Sequence, residues 1–227
     1  MNQVTVFMTC VGAGLLAACA SDPLQDQYYS LVLAADDVPV RTMTNMAGAR
    51  LIIGPVRMAR YLNQAGFATQ KGEQQIQIAN HSFWAEPLDE GIGKVLVRDI
   101  TMRDASLTVT RDAGRWLGKG DCRLRLEFDK FQVTDAATVV ARGRYWLSSE
   151  LEGHDVQSEF DLSQSLNVDG YANAVNQLRA LLGELSGEII AVISENKMCD
   201  VALSVPHKDA GAISAVIAGG AVLENEL

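Results

Sequence analysis

Alternation of apolar and polar residues predicts several strands along this chain. Residues 28–33, 74–79 and 105–110 alternate in this way, as is typical of strands with one buried face. Residues 51–56 form instead a continuous apolar run containing Gly54-Pro55. We therefore expect a buried strand there that ends in a turn at this dipeptide.

The longest alternation occupies residues 124–133, and another follows at residues 138–147. Only a short loop around Asp135 separates the two, which predicts an antiparallel hairpin. Residues 156–162 supply a further strand.

Helical spacing of apolar residues occurs twice. The first stretch runs from Leu88 to Ile100 behind Pro87, a residue suited to a helical first turn. The second is predicted to begin near Asp169, a good capping residue, and to continue through Ile193. The order of elements indicates a single α+β domain, with a mainly antiparallel sheet and helices packed on one of its faces.

The N-terminus has the pattern of a secretory signal. Residues 4–20 carry no charge, yet the run is shorter than the roughly 20 residues that a membrane-spanning helix needs. Leu16-Ala17-Ala18-Cys19 resembles the lipobox at which bacterial lipoprotein precursors are cleaved. We expect a signal peptide at residues 1–18, lipid on Cys19 and a tether at residues 19–27.

The residues on either side of the apolar run also bear on the expected signal peptide and lipidation. No Lys or Arg precedes Cys19, although signal peptides normally begin with one. The alternative is a buried N-terminal helix, which the polar Ser21-Asp22-Pro23 disfavours. Ala20 after the cysteine favours sorting to the outer membrane, with the domain facing the periplasm.

Charge and composition exclude some classes of binding partner. The formal net charge is −9, which argues against nucleic acid and against adhesion to anionic headgroups, so membrane attachment must come from lipid. Residues 199–227 are rich in Gly and Ala and are interpreted as a tail. Cys122 and Cys199 could pair in an oxidising periplasm or remain buried thiols, and the sequence leaves both open.

The sequence offers no catalytic or metal-binding pattern. His81, His154 and His207 are far apart, and HExxH, CxxC, GxSxG and GxxxxGK[ST] motifs are all absent. Glu127 and Asp129 share one strand face and are interpreted as solvated. We therefore expect no catalytic residue, metal or cofactor. A hydrolase would require a buried group of carboxylate or serine side chains that no sequence motif reveals.

One segment concentrates unusual side chains. Residues 81–88 combine an imidazole, two aromatic rings and a carboxylate at a predicted strand-to-helix junction. Such a corner could dock a partner. The favoured alternative is that Trp84 and Leu88 close the core while Glu86 caps the helix.

The motifs of this chain, taken in order, resemble the ABC-type transport auxiliary lipoprotein family of PqiC/YmbA-like proteins. The resemblance covers roughly residues 19–198, and Ala59-Arg60 departs from it where the family commonly has a proline. The motifs that carry it are Tyr28-Tyr29-Ser30-Leu31, Gly54-Pro55-Val56, Tyr61-Leu62-Asn63, Ile76 to Ala79, His81, Trp84-Ala85-Glu86-Pro87-Leu88, Trp116 and Phe128-Asp129-Lys130-Phe131.

The resemblance implies a family domain at residues 28–198 and a non-enzymatic role. Members accompany MCE-domain proteins and an ABC permease and ATPase, in lipid transport between the membranes that supports outer-membrane integrity. Assembly with further copies of the chain stays open. The alternative is an independent structural or assembly lipoprotein of the outer membrane that binds another envelope protein. The residues expected to form a docking or core-closing surface are Tyr61, Leu62, His81, Trp84, Glu86, Pro87 and Leu88.

Overall fold

The structure is a computed structural model, and it describes residues 25–32, 50–112, 121–149 and 155–199. The expected signal peptide, Cys19, Trp116, His154, His207 and the tail beyond residue 199 lie outside these ranges. The described residues form eight strands and two α-helices. Their bounds are β1 Gln27–Tyr29, β2 Arg50–Met58, β3 Gly66–Lys71, β4 Gln75–Trp84, α1 Leu88–Arg103, β5 Thr108–Arg111, β6 Asp121–Thr134, β7 Thr138–Ser149, β8 Asp155–Ser165 and α2 Tyr171–Glu195, with a 3-10 turn at Arg60–Leu62.

Strand β6 organises a forked sheet. One of its edges pairs with β7 along nearly its whole length, and β8 follows β7. The other edge is shared, because β2 pairs with the first half of β6 and β3 with its last two residues. The β2 branch continues to β5, and the β3 branch continues through β4 to β1.

The α+β class is confirmed, and the sheet is mixed. Three strand pairs are antiparallel, namely β3–β4, β6–β7 and β7–β8, and the other four are parallel. The predicted hairpin is the β6–β7 connection, in which Ala137 takes a positive φ of 50°. The parallel pairs join strands that are distant in sequence, so local alternation does not reveal them.

Strand β2 does not end at Gly54-Pro55, contrary to expectation. It runs on to Met58, and its register with β6 shifts between Ile53 and Val56. Proline has no N–H to give to a ladder, and a bulge accommodates it without ending the strand.

Both helices cover the same face of the sheet and contact each other. Helix α1 packs on β2 and β5, whereas α2 packs on β6, β7 and β8. Asp169 does not cap α2: Gly170 occupies the N-cap at φ 112°, without a side-chain hydrogen bond. The most deeply buried residues, each at most 1 % exposed, include Ile92, Leu96, Ile100, Leu124, Leu126, Phe128, Tyr145, Leu147, Leu178, Leu182, Leu185 and Ile189.

The first and last elements of the described chain are β1, which begins at Gln27, and α2, which ends at Glu195. Strand β1 starts at Gln27, one residue inside the segment interpreted as tether. Cys199, assigned to the tail, is only 3 % exposed and belongs to the core cluster.

Candidate functional surface

Trp84, the centre of the residue 81–88 segment, closes the core. It is the last residue of β4, is 8 % exposed and stacks on Phe67 with ring centroids 4.0 Å apart. The centroid of the Phe67 ring also lies 5.4 Å from that of Tyr29 and 5.0 Å from that of Tyr171. The backbone N–H of Trp84 donates to the carbonyl of Ala65 at 2.8 Å, which fixes the end of β4. This aromatic cluster joins β1, β3 and β4 to the start of α2.

The next residues of the segment start helix α1. Pro87 is the N-cap, exposed and without a side-chain capping bond, and Leu88 is 6 % exposed. The carboxylate of Glu86 pairs with Lys94, so it does not cap the helix as the core-closing alternative assumed. Glu90 in the first turn pairs with Arg111, and this partner lowers the pKa of that carboxyl.

Tyr61 and Leu62 occupy the fork of the sheet, between β2 and β3. The Tyr61 hydroxyl donates to the backbone carbonyl of Asp129 on β6 at 2.9 Å. Burial, together with the charge of Asp129, raises the pKa of the Tyr61 hydroxyl. Leu62 is 2 % exposed and belongs to the core. The motif therefore ties the turn at the fork to the central strand.

His81 is exposed and lies beside the N-terminal tether. Its Nδ1 is 2.9 Å from the carboxylate of Asp26, which precedes β1. Tyr28, paired in register with Phe83, has its ring 5.6 Å from that of Phe83. These side chains lie on the sheet face opposite the helices, because the alternate residues Tyr29 and Trp84 point into the core.

The seven candidate residues thus divide by burial. Leu62, Trp84 and Leu88 are core residues, and Tyr61 is half-buried, as the core-closing alternative expects. Tyr61 stabilises the fork, whereas Trp84 stabilises the β1–β3–β4 branch, so the two motifs serve different junctions.

Cys122 and Cys199 are placed as a disulfide. Their Cα atoms are 5.3 Å apart, inside the usual range for such a bond. The bond joins the start of β6 to the residues that follow α2. Neither neighbouring sequence indicates this proximity, because the two cysteines are 77 residues apart.

The contact between the two helices contains an ion pair that sequence reasoning missed. The guanidinium of Arg179 on α2 donates two bonds, of 2.7 and 2.6 Å, to the carboxylate of Asp99 on α1. Their side chains are only 22 % and 12 % exposed. The two partners lie 80 residues apart. In the sequence around it, each is indistinguishable from an ordinary charged residue on a helix surface.

A groove of about 540 Å³ opens at the start of α2, between the β3–β4 and β6–β7 hairpins. Its lining mixes apolar side chains such as Val133 and Leu166 with Lys71, Asp135 and Asp169. The Thr134 hydroxyl there is buried and has no hydrogen-bond partner among the described residues. The carboxylates are already engaged, since Asp135 accepts from the N–H of Gly72 and Asp169 from that of Gly170.

No group of three His, Cys, Asp or Glu side chains in the described ranges is placed to hold a metal ion. None of the helices in that part of the chain has the length and apolar character needed to span a membrane. Burial raises the pKa of Glu188, with the charge of Glu184 adding to the effect, and burial also raises the pKa of Tyr145.

Comparison with known proteins decides the family. The family model described as the ABC-type transport auxiliary lipoprotein component matches residues 29–190, well over half of the chain. The chain belongs to this family. It is therefore a transport auxiliary lipoprotein with a domain that spans β1 to α2.

Curated relatives and solved structures agree with this assignment. The chain is 26 % identical over 192 residues to the intermembrane transport lipoprotein PqiC of Escherichia coli K12, covering 84 % of this chain and 97 % of the relative. The Shigella flexneri PqiC matches equally. A crystal structure of an uncharacterised protein, 25 % identical, superposes with a TM-score of 0.63 over 74 % of this chain and 99 % of the other. A Xanthomonas campestris protein, 13 % identical, shares the fold with a TM-score of 0.56 over 66 % of this chain and 87 % of its own.

Proposed function

We propose that this chain is a non-enzymatic accessory subunit of an MCE/ABC-type lipid transport system, anchored by lipid at the outer membrane and facing the periplasm. The supporting observation is membership of the transport auxiliary family over residues 29–190. The likeness to a protein named intermembrane transport lipoprotein extends over 84 % of the chain, so it involves the whole domain and not one motif.

The anchor in this proposal is Cys19. It follows Leu16-Ala17-Ala18, and only a short polar segment separates it from β1. A diacylglyceryl group with an added acyl chain would suffice for stable attachment, because each buried methylene contributes about 0.8 kcal/mol. The domain then needs only to hold partners near this membrane, and docking of this kind requires no catalytic group.

Partner contact is proposed for the exposed part of the residue 81–88 segment. Glu86 and Pro87 keep accessible surface at the start of α1, whereas Trp84 and Leu88 serve the core beneath them. Burying Trp84 and Leu88 holds Pro87 in a fixed place, which lowers the entropic cost of docking a partner there.

Co-purification tests the proposal. The full chain, tagged at its C-terminus in its own bacterium, is extracted in mild detergent and captured beside an unrelated tagged lipoprotein. We expect an MCE-domain protein and an ABC permease to be enriched with this chain alone. Recovery of a different envelope protein, with neither component, would support the independent assembly role instead.

A further inference from the structure

We infer that a small apolar surface beside the N-terminal tether rests on the headgroup region of the membrane that holds Cys19. This surface, the tether patch, consists of the exposed Tyr28 and Ile76 together with the half-buried Ile78 and Phe83. The inference depends on the proposed lipidation of Cys19, and it adds which side of the domain meets the bilayer.

The first step is reach. Six residue steps separate Cys19 from Gln25, the first described residue of the domain. A chain extends by at most about 3.5 Å per residue, so Gln25 lies within about 20 Å of the anchor. Asp26 is bonded to His81 and β1 is paired with β4, which fixes the tether on this edge of the sheet. This edge must therefore stay close to the membrane.

The second step is the chemistry of that edge. Tyr28 on β1, beside the tether, is 67 % exposed, and Ile76 at the other end of the neighbouring strand β4 is 36 % exposed. Tyr28 contacts Phe83, and Gly66, paired with Phe83, leaves room for the Ile78 methyl beside it.

The third step concerns orientation. Ile76 is paired with Gln70, whose side-chain oxygen accepts bonds from Lys130 and Gln132. Gln132 alternates along β6 with Phe131 and Val133, which lie on the helix side, so Gln70 and Ile76 lie on the opposite side of the sheet. Ile76 and Ile78 alternate along the same side of β4, and Tyr28 and Phe83 point away from the helices. The four side chains consequently share the sheet face that the helices leave open.

A bilayer surface fits this patch better than a basic partner or a large interface would. Tyr places an apolar ring with a polar hydroxyl at the height where aromatic side chains gather in membrane interfaces. The net charge of −9 removes electrostatic attraction to anionic lipid, so four residues would bind weakly on their own. The tether compensates for this weak binding, because it keeps the patch beside the bilayer at an effective concentration roughly in the millimolar range.

Site-specific labelling tests the tether patch in the full lipidated protein. Single cysteines at Tyr28→Cys or Ile76→Cys carry an environment-sensitive fluorophore. Cys122 and Cys199 are 0 % and 3 % exposed and so are shielded from the reagent. Met102→Cys is the matched control, since Met102 is 58 % exposed near the far end of α1, about 21 Å along the helix from Leu88.

The protein is reconstituted into vesicles of phosphatidylethanolamine and phosphatidylglycerol that contain a lipid quencher at headgroup depth. We expect quenching at positions 28 and 76 to exceed that at position 102 by at least twofold. Cys19→Ser in the same proteins should abolish the difference.

Flotation of the vesicles measures the anchor separately. Protein that fails to float and lacks acyl chains would refute the lipidation proposal. Protein that floats but shows equal quenching at all three positions would overturn the tether patch. Emission at position 28 that shifts with protein concentration, and not with quencher, would also overturn it and indicate a second copy on the patch.

Discussion

At the scale of single residues, the Asp99–Arg179 pair is the best place to measure what a side chain contributes. The two charges are largely withdrawn from water between the helices and satisfy each other with two hydrogen bonds. Removing one partner leaves the other charge partly buried without compensation. We expect Asp99→Asn to lower the free energy of unfolding by about 3 kcal/mol, measured by urea denaturation of the mature chain.

The surface pair Arg142–Asp161 provides the control. Its bond length of 2.6 Å matches that of the buried pair, yet its side chains are 51 % and 59 % exposed. Exposed pairs contribute less than about 1 kcal/mol, so Asp161→Asn should change stability little. Equal effects of the two substitutions would show that the helix contact does not depend on its ion pair.

At the scale of elements, local sequence reveals those strands and helices whose burial follows a simple period. Strand β7 and the first half of β6 alternate in burial, so the sequence predicts the β6–β7 hairpin, and helical spacing predicts the long helix α2. Strand β3 is not predicted, because Gly66, Phe67 and Ala68 are all buried and leave no alternation to detect. The parallel pairing of Arg50 with Asp121 depends on tertiary contact across 71 residues.

The candidate surface was predictable to the same degree. Trp84 and Leu88 are large apolar residues at an element junction, and that pattern correctly suggests core residues. The hydrogen bond from Tyr61 to the carbonyl of Asp129 could not be predicted, since any residue at position 129 would present a carbonyl. Asp169 looked like a cap, but its carboxylate bonds the adjacent Gly170 N–H, one residue before α2 begins.

The Cys122–Cys199 bond links two elements and allows a prediction at this scale. Closing a loop of 77 residues restricts the unfolded chain, which should stabilise the domain by about 4 kcal/mol. We expect the double variant Cys122→Ala, Cys199→Ala to lose about this amount in urea denaturation. Dithiothreitol should lower the parent protein to a similar level and leave the variant unchanged. A parent protein insensitive to the reductant would mean that the two thiols are free.

At the scale of the whole molecule, the two faces of the sheet differ in what covers them and in the charges that they carry. The helices bury one face, and the other carries charged residues on β2, β6, β7 and β8. There Arg57, Glu127, Arg144 and Glu159 stand opposite one another in register and alternate in sign. Opposite charges in such cross-strand pairs neutralise each other, so this face presents no field of a single sign. Neither this face nor the net charge of −9 supplies electrostatic attraction to a membrane.

The attachment of this protein to membranes should therefore depend on its acyl chains, and a high salt concentration should not release it. Charge-driven adhesion would weaken as salt shortens the screening length to about 3 Å at 1 M. We expect the parent protein to incorporate labelled palmitate and to stay with membranes through a high-salt wash. Cys19→Ser should lose the label and pass to the soluble periplasmic fraction, whereas Cys122→Ser should keep both the label and the membrane. Unchanged labelling of Cys19→Ser would refute the anchor, and salt-released parent protein would show that attachment is electrostatic after all.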